Sequence, residues 1–180
     1  MRVLGIDPGN AICGWGVIER AGSARFIATG TIRPPAALRG PARLMEIHTR
    51  LLATIDAYTP DAVSLERSFA AINVQSAFKL GEARAMAMLA AAERGVELFE
   101  YNPTDVKLTI AGYGRADKRQ VKEMVRRTLG LDPATPLADD ASDALAIALC
   151  HAFRARQPRP GAVRAAPARI RPRANPVGAS

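Results

Sequence analysis

Three apolar runs open the chain, Arg2 to Asp7, Cys13 to Glu19 and Arg25 to Ile32, and only a few residues, glycines among them, separate each from the next. A parallel connection needs a dozen residues or more, so links this short force an antiparallel meander. The pattern then changes period. Leu44, Ile47, Leu51, Ile55 and Tyr58 recur every three or four residues, which marks an amphipathic helix of about four turns ending before Pro60. A crossover leads into Asp61 to Glu66, a fourth strand. A second helix from Asn73 to Arg94 is stopped by Gly95; Val96 to Tyr101 reads as a fifth strand, and helices are predicted over 103–111, 117–129 and 139–153. Three strands, then helices alternating with strands, predict an α/β fold: a mixed five-stranded sheet, its first three strands antiparallel and the later ones parallel, flanked by helices.

A chain of 180 residues holds one domain of ordinary size. No apolar run approaches the roughly 20 residues of a membrane span, and Met1 to Asp7 reaches the Pro8-Gly9 turn too early for a signal peptide. The expected location is cytoplasmic, with no membrane partner. The formal net charge of +8 is unevenly placed: residues 154–180 carry seven arginines and no acid, which leaves 18 basic against 17 acidic residues elsewhere. That stretch also holds five prolines and no apolar period, so it reads as a disordered tail beyond a folded domain of residues 1–153. It is either a solubilising terminus or an electrostatic arm for phosphates.

Cys13 and Cys150 stand alone, and His48 and His151 form no H-E-x-x-H pattern, which excludes a zinc site or a histidine triad as the expected chemistry. Reactivity must then come from carboxylates. If strands one and four lie parallel and adjacent, Asp7 and Glu66 share the carboxyl edge where open α/β sheets place ligands, about 4.8 Å apart. Two like charges there need a cation or a proton between them. Singly, Asp7 also suits a turn before Pro-Gly, and Glu66 an exposed strand end.

Asp140 and Asp143 are three apart at the start of the last predicted helix and face the same way. Acids in a first turn complement the helix dipole and need no further role. Asp143, however, falls where the apolar stripe begins, and a buried carboxylate there needs a partner such as a metal. Asp139 is also a helical neighbour of Asp143, which leaves Asp139 and Asp140 as alternatives for the acid that pairs with it. Lys107 and Lys118 flank the Gly112-Tyr113-Gly114 loop and are joined by Arg115, Arg119 and Lys122, a cluster suited either to phosphate contacts or to a solvated surface. Phe69, three residues after Glu66, could stack on an unpaired base or pack into the domain.

Taken in order, LGIDPGN and CGWGVIE (Leu4 to Glu19), SLERSFAAINVQSAFKLGEAR (Ser64 to Arg84), YNPTDVKLTIAGYGRADKRQV (Tyr101 to Val121) and DDASDALAIALCH (Asp139 to His151) resemble the RuvC family of Holliday-junction resolvases, within the RNase H-like superfamily. The resemblance runs over about residues 2–153 and leaves out the tail. It implies a homodimeric, magnesium-dependent endonuclease that resolves four-way DNA junctions by symmetric nicks in recombination and repair, alongside the branch-migration proteins RuvA and RuvB. It also implies Asp7, Glu66, Asp140 and Asp143 as catalytic metal ligands, Lys107 and Lys118 near the scissile strand, and Phe69 by the junction centre. Asn10 and Ala11 depart from the Ser/Thr and basic residues often found after the DPG turn, and Arg67 stands where Gln is frequent; these changes bear on sequence preference.

Four oxygen ligands without sulfur or imidazole favour Mg²⁺, with Mn²⁺ able to substitute. Two ions per site, one activating water and one stabilising the leaving 3′ oxygen, would yield a 5′ phosphate. In that arrangement Asp7 bridges both ions, Glu66 and Asp140 complete one site each, and Asp143 completes or orients the second. Two other classes remain. A nucleotide-binding ATPase of the actin and sugar-kinase type shares the Asp-and-glycine hairpin but needs two such domains. A catalytically silent junction-binding protein would keep the basic residues without four acids in register.

Overall fold

The computed structural model describes residues 1–9, 11–67 and 74–155. The opening runs form strands β1 (Arg2–Asp7), β2 (Cys13–Ala21) and β3 (Ser23–Ile32), followed by helix α1 (Gly40–Tyr58), β4 (Ala62–Glu66), α2 (Val74–Glu93) and β5 (Glu97–Tyr101). Helices α3 (Pro103–Ala111), α4 (Lys118–Leu129) and α5 (Asp139–Arg154) complete the fold. The sheet order is β3-β2-β1-β4-β5. β1 pairs antiparallel with β2 and β2 with β3, whereas β4 lies parallel to both β1 and β5. The mixed α/β sheet predicted from the sequence is the sheet observed.

Helix α1 starts a turn earlier than its apolar stripe, because a proline in its first turn fixes the entry without contributing to the stripe. It ends at Thr59, which takes the left-handed conformation (φ 43°) and caps Ile55 before Pro60 stops the chain. α4 opens on a capping box: the Asp117 carboxylate accepts from the Gln120 N–H while the Gln120 side chain accepts from the Asp117 N–H.

Two cores sandwich the sheet. On one face Leu4, Ile6, Val17, Val63 and Leu65 pack against Ile47, Leu51 and Ile55 of α1 and the alanines of α2. On the other, Val3 and Ile18 pack with α5, whose outer side is covered by α3 and α4 through Val106, Ile110, Val121 and Val125. α5 is therefore a central helix, buried along nearly its whole length from Ala141 to Ala152. Glycines let it lie close to the sheet: a Cβ on Gly5 would fall 2.0 Å from the Ala144 carbonyl oxygen. None of the described helices is long and apolar enough to cross a membrane. Phe69, Asn10 and the basic tail beyond residue 155 lie outside the described residues.

Candidate active site

Strand alternation decides which side chains meet α5. On β1, Leu4 and Ile6 belong to the α1/α2 core and Val3 to the α5 core, so Asp7, four residues past Val3, emerges on the α5 face. On β4, Val63 and Leu65 take the α1/α2 side, while the Ser64 hydroxyl donates to the Ile147 carbonyl of α5 at 3.3 Å. Glu66 therefore points to the α5 face as well. Ile6 and Leu65 are partners in the parallel register, so Asp7 and Glu66 stand one step further on, side by side at the carboxyl edge.

The first turn of α5 closes over that edge. Gly14 pairs with Asp7 across β1 and β2, and a Cβ on Gly14 would lie 2.0 Å from the Asp140 carbonyl oxygen; only glycine admits the helix here. The outcome is electrostatic crowding. Burial pushes the Asp7 carboxyl up to about 7, and the charges of Asp143, Glu66 and Asp140 push the same way, against Lys118 alone. Asp139 is not among those neighbours: its carboxylate, 80% exposed, turns outward to the Lys122 ammonium at 2.7 Å, which pulls its pKa down. The two acids that sequence spacing left interchangeable thus point to different places.

A cleft of about 280 Å³ is lined by Asp7, Glu66, Asp143, Lys107 and Lys118, with Pro103, Val106 and Val121 from α3 and α4 among its other walls. Lys118 Nζ lies 3.3 Å from Asp143 Oδ2, and Asp143 in turn raises the lysine's pKa. A second cleft beside it is lined by Lys118, Arg119, Lys122, Asp139, Ser142 and Asp143. Lys118 and Arg119 begin α4, whose first turn has no acid, so two cations sit at the positive end of a helix dipole. That placement opposes the helix dipole, an effect the capping Asp117 carboxylate offsets, and leaves both cations available to an anion. Arg115 is exposed in the preceding turn and lines neither cleft.

Donor chemistry decides which cation fits. Cys13, the nearest soft group, is buried with its thiol pushed up to about 12, so it stays protonated and offers no thiolate. The remaining donors are carboxylate oxygens, suited to a hard divalent ion. Among the described residues, no three His, Cys, Asp or Glu side chains are closed into a ligand cluster; Asp143 is engaged by Lys118 instead. The donor set fits such an ion, and engaging Asp143 requires that this ion pair be exchanged.

The family model described as crossover junction endodeoxyribonuclease RuvC matches residues 3–151. The chain belongs to the RuvC family. A RuvC from Chloroflexus aggregans is 50% identical over 156 residues, 86% of this chain and 94% of the relative. The solved T. thermophilus RuvC in complex with a Holliday junction substrate superposes with a TM-score of 0.80 at 39% identity, covering 85% of this chain and 93% of that one. The yeast mitochondrial Holliday junction resolvase Ydc2, at 14% identity and a TM-score of 0.56 over 82% of this chain and 77% of its own, shares the fold. RuvC proteins are crossover junction endodeoxyribonucleases, hydrolases of the DNA backbone that depend on divalent metal.

Sequence reasoning brought Asp7, Glu66, Asp140, Asp143, Lys107, Lys118 and Arg119 into this region. It missed Ser142 in the second cleft wall and Arg84, which donates to the Glu66 carbonyl from α2. An arginine set among the apolar residues of a helical stretch was the available signal for the latter.

Proposed function

We propose that this RuvC-family chain is a crossover junction endodeoxyribonuclease that nicks opposed strands of a four-way DNA junction, using Asp7, Glu66, Asp140 and Asp143 to hold two Mg²⁺ ions. The observation that carries this reading is Asp7, a half-buried carboxyl crowded by three others and pushed up to about 7. Such a group needs a proton or a cation, and at neutral pH a divalent ion competes well with the proton. Bound divalent ions supply an activated water and offset charge on the leaving 3′ oxygen, so the product carries a 5′ phosphate.

The chain's own residues do the rest. Asp7, crowded by the other three carboxylates, would be the ligand shared between the ions; Glu66 and Asp140 would complete one site each, and Asp143 would complete or orient the second. Asp143 becomes available as Lys118 leaves it, and the released ammonium then joins Lys107 in offsetting charge on the scissile phosphate. Arg119, with the α4 N-terminus, and Arg115 beyond it hold backbone phosphates further along the strand. Phe69, three residues after Glu66, is the aromatic for the unpaired base at the junction centre.

A junction with two-fold symmetry asks for two identical sites, and a homodimer supplies them. The exposed apolar residues Phe78, Met88 and Leu89 on α2 support self-association, since its buried face is used up on the sheet through Ala83, Ala87, Ala90 and Ala91. Residues 1–153 form the nuclease domain and 154–180 a basic appendage. RuvA and RuvB are the proposed partners, and the cytoplasm the proposed location.

The deciding experiment incubates the purified chain with a labelled four-way junction in Mg²⁺ or EDTA, beside an Asp7→Asn variant and a linear duplex. Paired metal-dependent nicks on opposed strands of the junction, lost in Asp7→Asn while junction binding persists, are expected. Binding without cleavage in either Mg²⁺ or Mn²⁺ would reduce the chain to a junction-binding protein.

A further inference from the structure

We infer that Arg84, on the opposite side of the sheet from the carboxylate cluster, is a positioning residue that fixes the backbone carrying Glu66 and thereby the metal affinity of the site. This inference rests on the metal-binding role of Glu66 proposed above.

β4 and β5 stay paired to the very end of β4, where Glu66 faces Tyr101. The next amide holds as well, since the Arg67 N–H donates to the Tyr101 carbonyl at 2.7 Å. The Glu66 carbonyl accepts from outside the strands. Arg84 Nη1 donates to it at 2.7 Å, and the other end of the same guanidinium, Nη2, pairs with the Glu100 carboxylate. Glu100 lies on β5, and Arg67 Nη2 approaches its second oxygen at 3.5 Å. One fork from α2 therefore ties the end of β4 to β5.

The geometry separates this clasp from the chemistry. Alternation along β5 sends Tyr101 to the α5 face, where its hydroxyl meets His151 Nδ1 at 2.8 Å, and hence Glu100 to the α2 face. Arg84 thus touches no carboxylate of the cluster and acts only through the peptide that precedes Arg67. With both the carbonyl of Glu66 and the following N–H held, the Cα–Cβ direction of Glu66 is fixed on the α5 face. The interaction is also well insulated, as the Arg84 side chain is only 20% exposed, so it is screened little by salt. Two donors in a rigid fork serve two acceptors at once, which a lysine ammonium cannot reproduce at the same spacing.

The test uses the full chain with Arg84→Met, Arg84→Lys and Glu100→Gln, and with Arg94→Met as a matched arginine loss from the exposed Arg94–Asp56 pair. Mn²⁺ binding to the free protein is followed by electron paramagnetic resonance, thermal unfolding is recorded without metal, and junction binding is measured in Ca²⁺ alongside single-turnover cleavage in Mg²⁺. Arg84→Met is expected to weaken Mn²⁺ binding and slow cleavage at fixed Mg²⁺ by about 10-fold or more, with junction binding unchanged and cleavage largely restored at high metal. Arg84→Lys should recover part of the loss, Glu100→Gln should cost less than Arg84→Met because the carbonyl contact survives, and Arg94→Met should leave the metal dependence as it is. Unchanged Mn²⁺ binding in Arg84→Met and Arg84→Lys overturns the inference. So does a loss of junction binding and thermal stability parallel to the loss of cleavage in both variants, which marks a purely structural bridge. A wild-type chain that neither binds Mn²⁺ nor cleaves would instead sink the nuclease reading itself.

Discussion

Asp7 carries a cost in its ionised form, which a proton or a bound cation would relieve. Unfolded, the carboxyl titrates near 3.8; folded, at about 7. Between those values the folded protein keeps a proton that the unfolded chain has released, so stability falls as pH rises through that window, and the full penalty applies above it. At roughly 1.4 kcal/mol per pH unit the penalty is on the order of 2–4 kcal/mol at neutral pH. Carboxylates such as Asp56, Asp105 and Asp139, held low by basic partners, act oppositely and lose their contribution only below about pH 4. Asp7→Asn should therefore raise the metal-free melting temperature, more at pH 8 than at pH 5, while abolishing the stabilisation that Mg²⁺ gives the wild type. Equal melting curves for the two proteins in EDTA at pH 8 would contradict this. A companion prediction separates two acids adjacent in sequence: Asp140→Asn should reduce cleavage at least about 100-fold, and Asp139→Asn, which loses only the exposed contact to Lys122, by less than about threefold. Their spacing could not distinguish them in the sequence, because either can pair with Asp143 on one helical face; the outward turn of Asp139 depends on Lys122, 17 residues away. The Arg84 clasp was hidden for the same reason, since nothing local to Glu66 announces an arginine 18 positions on.

At the scale of elements, the site exists because α5 lies almost against the sheet. The meander, the crossover and the helices were legible from period and link length, since those signals are local and strong. The adjacency of β1 and β4 entered only as a condition, and the closeness of α5 did not enter at all. A signal for it was present in Gly5, Gly14 and Gly16, glycines inside strands where a missing side chain marks close backbone approach. All three face α5: Gly5 lies against Ala144 and Ala148, Gly14 against Asp140, and Gly16 against Leu145. Gly14→Ala places a methyl group where the Asp140 backbone now stands, and the helix start must move outward. The expected cost is about 1–3 kcal/mol of stability, together with a cleavage loss that persists at temperatures where the variant is fully folded. A fully folded Gly14→Ala protein with wild-type cleavage would show that the carboxylates tolerate a looser helix, against the view that this packing sets their separation.

For the whole molecule, the arrangement of charge separates two tasks. Acids gather at one edge of the sheet, and the cations that line the two neighbouring clefts come from α3 and α4, among them Lys107, Lys118 and Arg119, so the proposed phosphate contacts and the proposed metal ligands belong to different elements. One chain provides one such cleft, and a four-way junction presents two equivalent strands. If each subunit of a homodimer cuts one strand independently, a dimer with one Asp7→Asn subunit retains a single competent site. Dimers assembled from differently tagged wild-type and Asp7→Asn chains, purified through both tags, should then nick one strand of the junction at close to the normal rate per site. They should not separate it into two duplexes, because release needs the opposed cut as well. Denaturing gels would show nicked strands and native gels an intact four-way species. Full resolution by the mixed dimer would mean that one active site reaches both strands in turn, and no nicking at all would mean that the two sites fire only together, so the outcome reads directly how the symmetry of the protein is matched to that of its DNA.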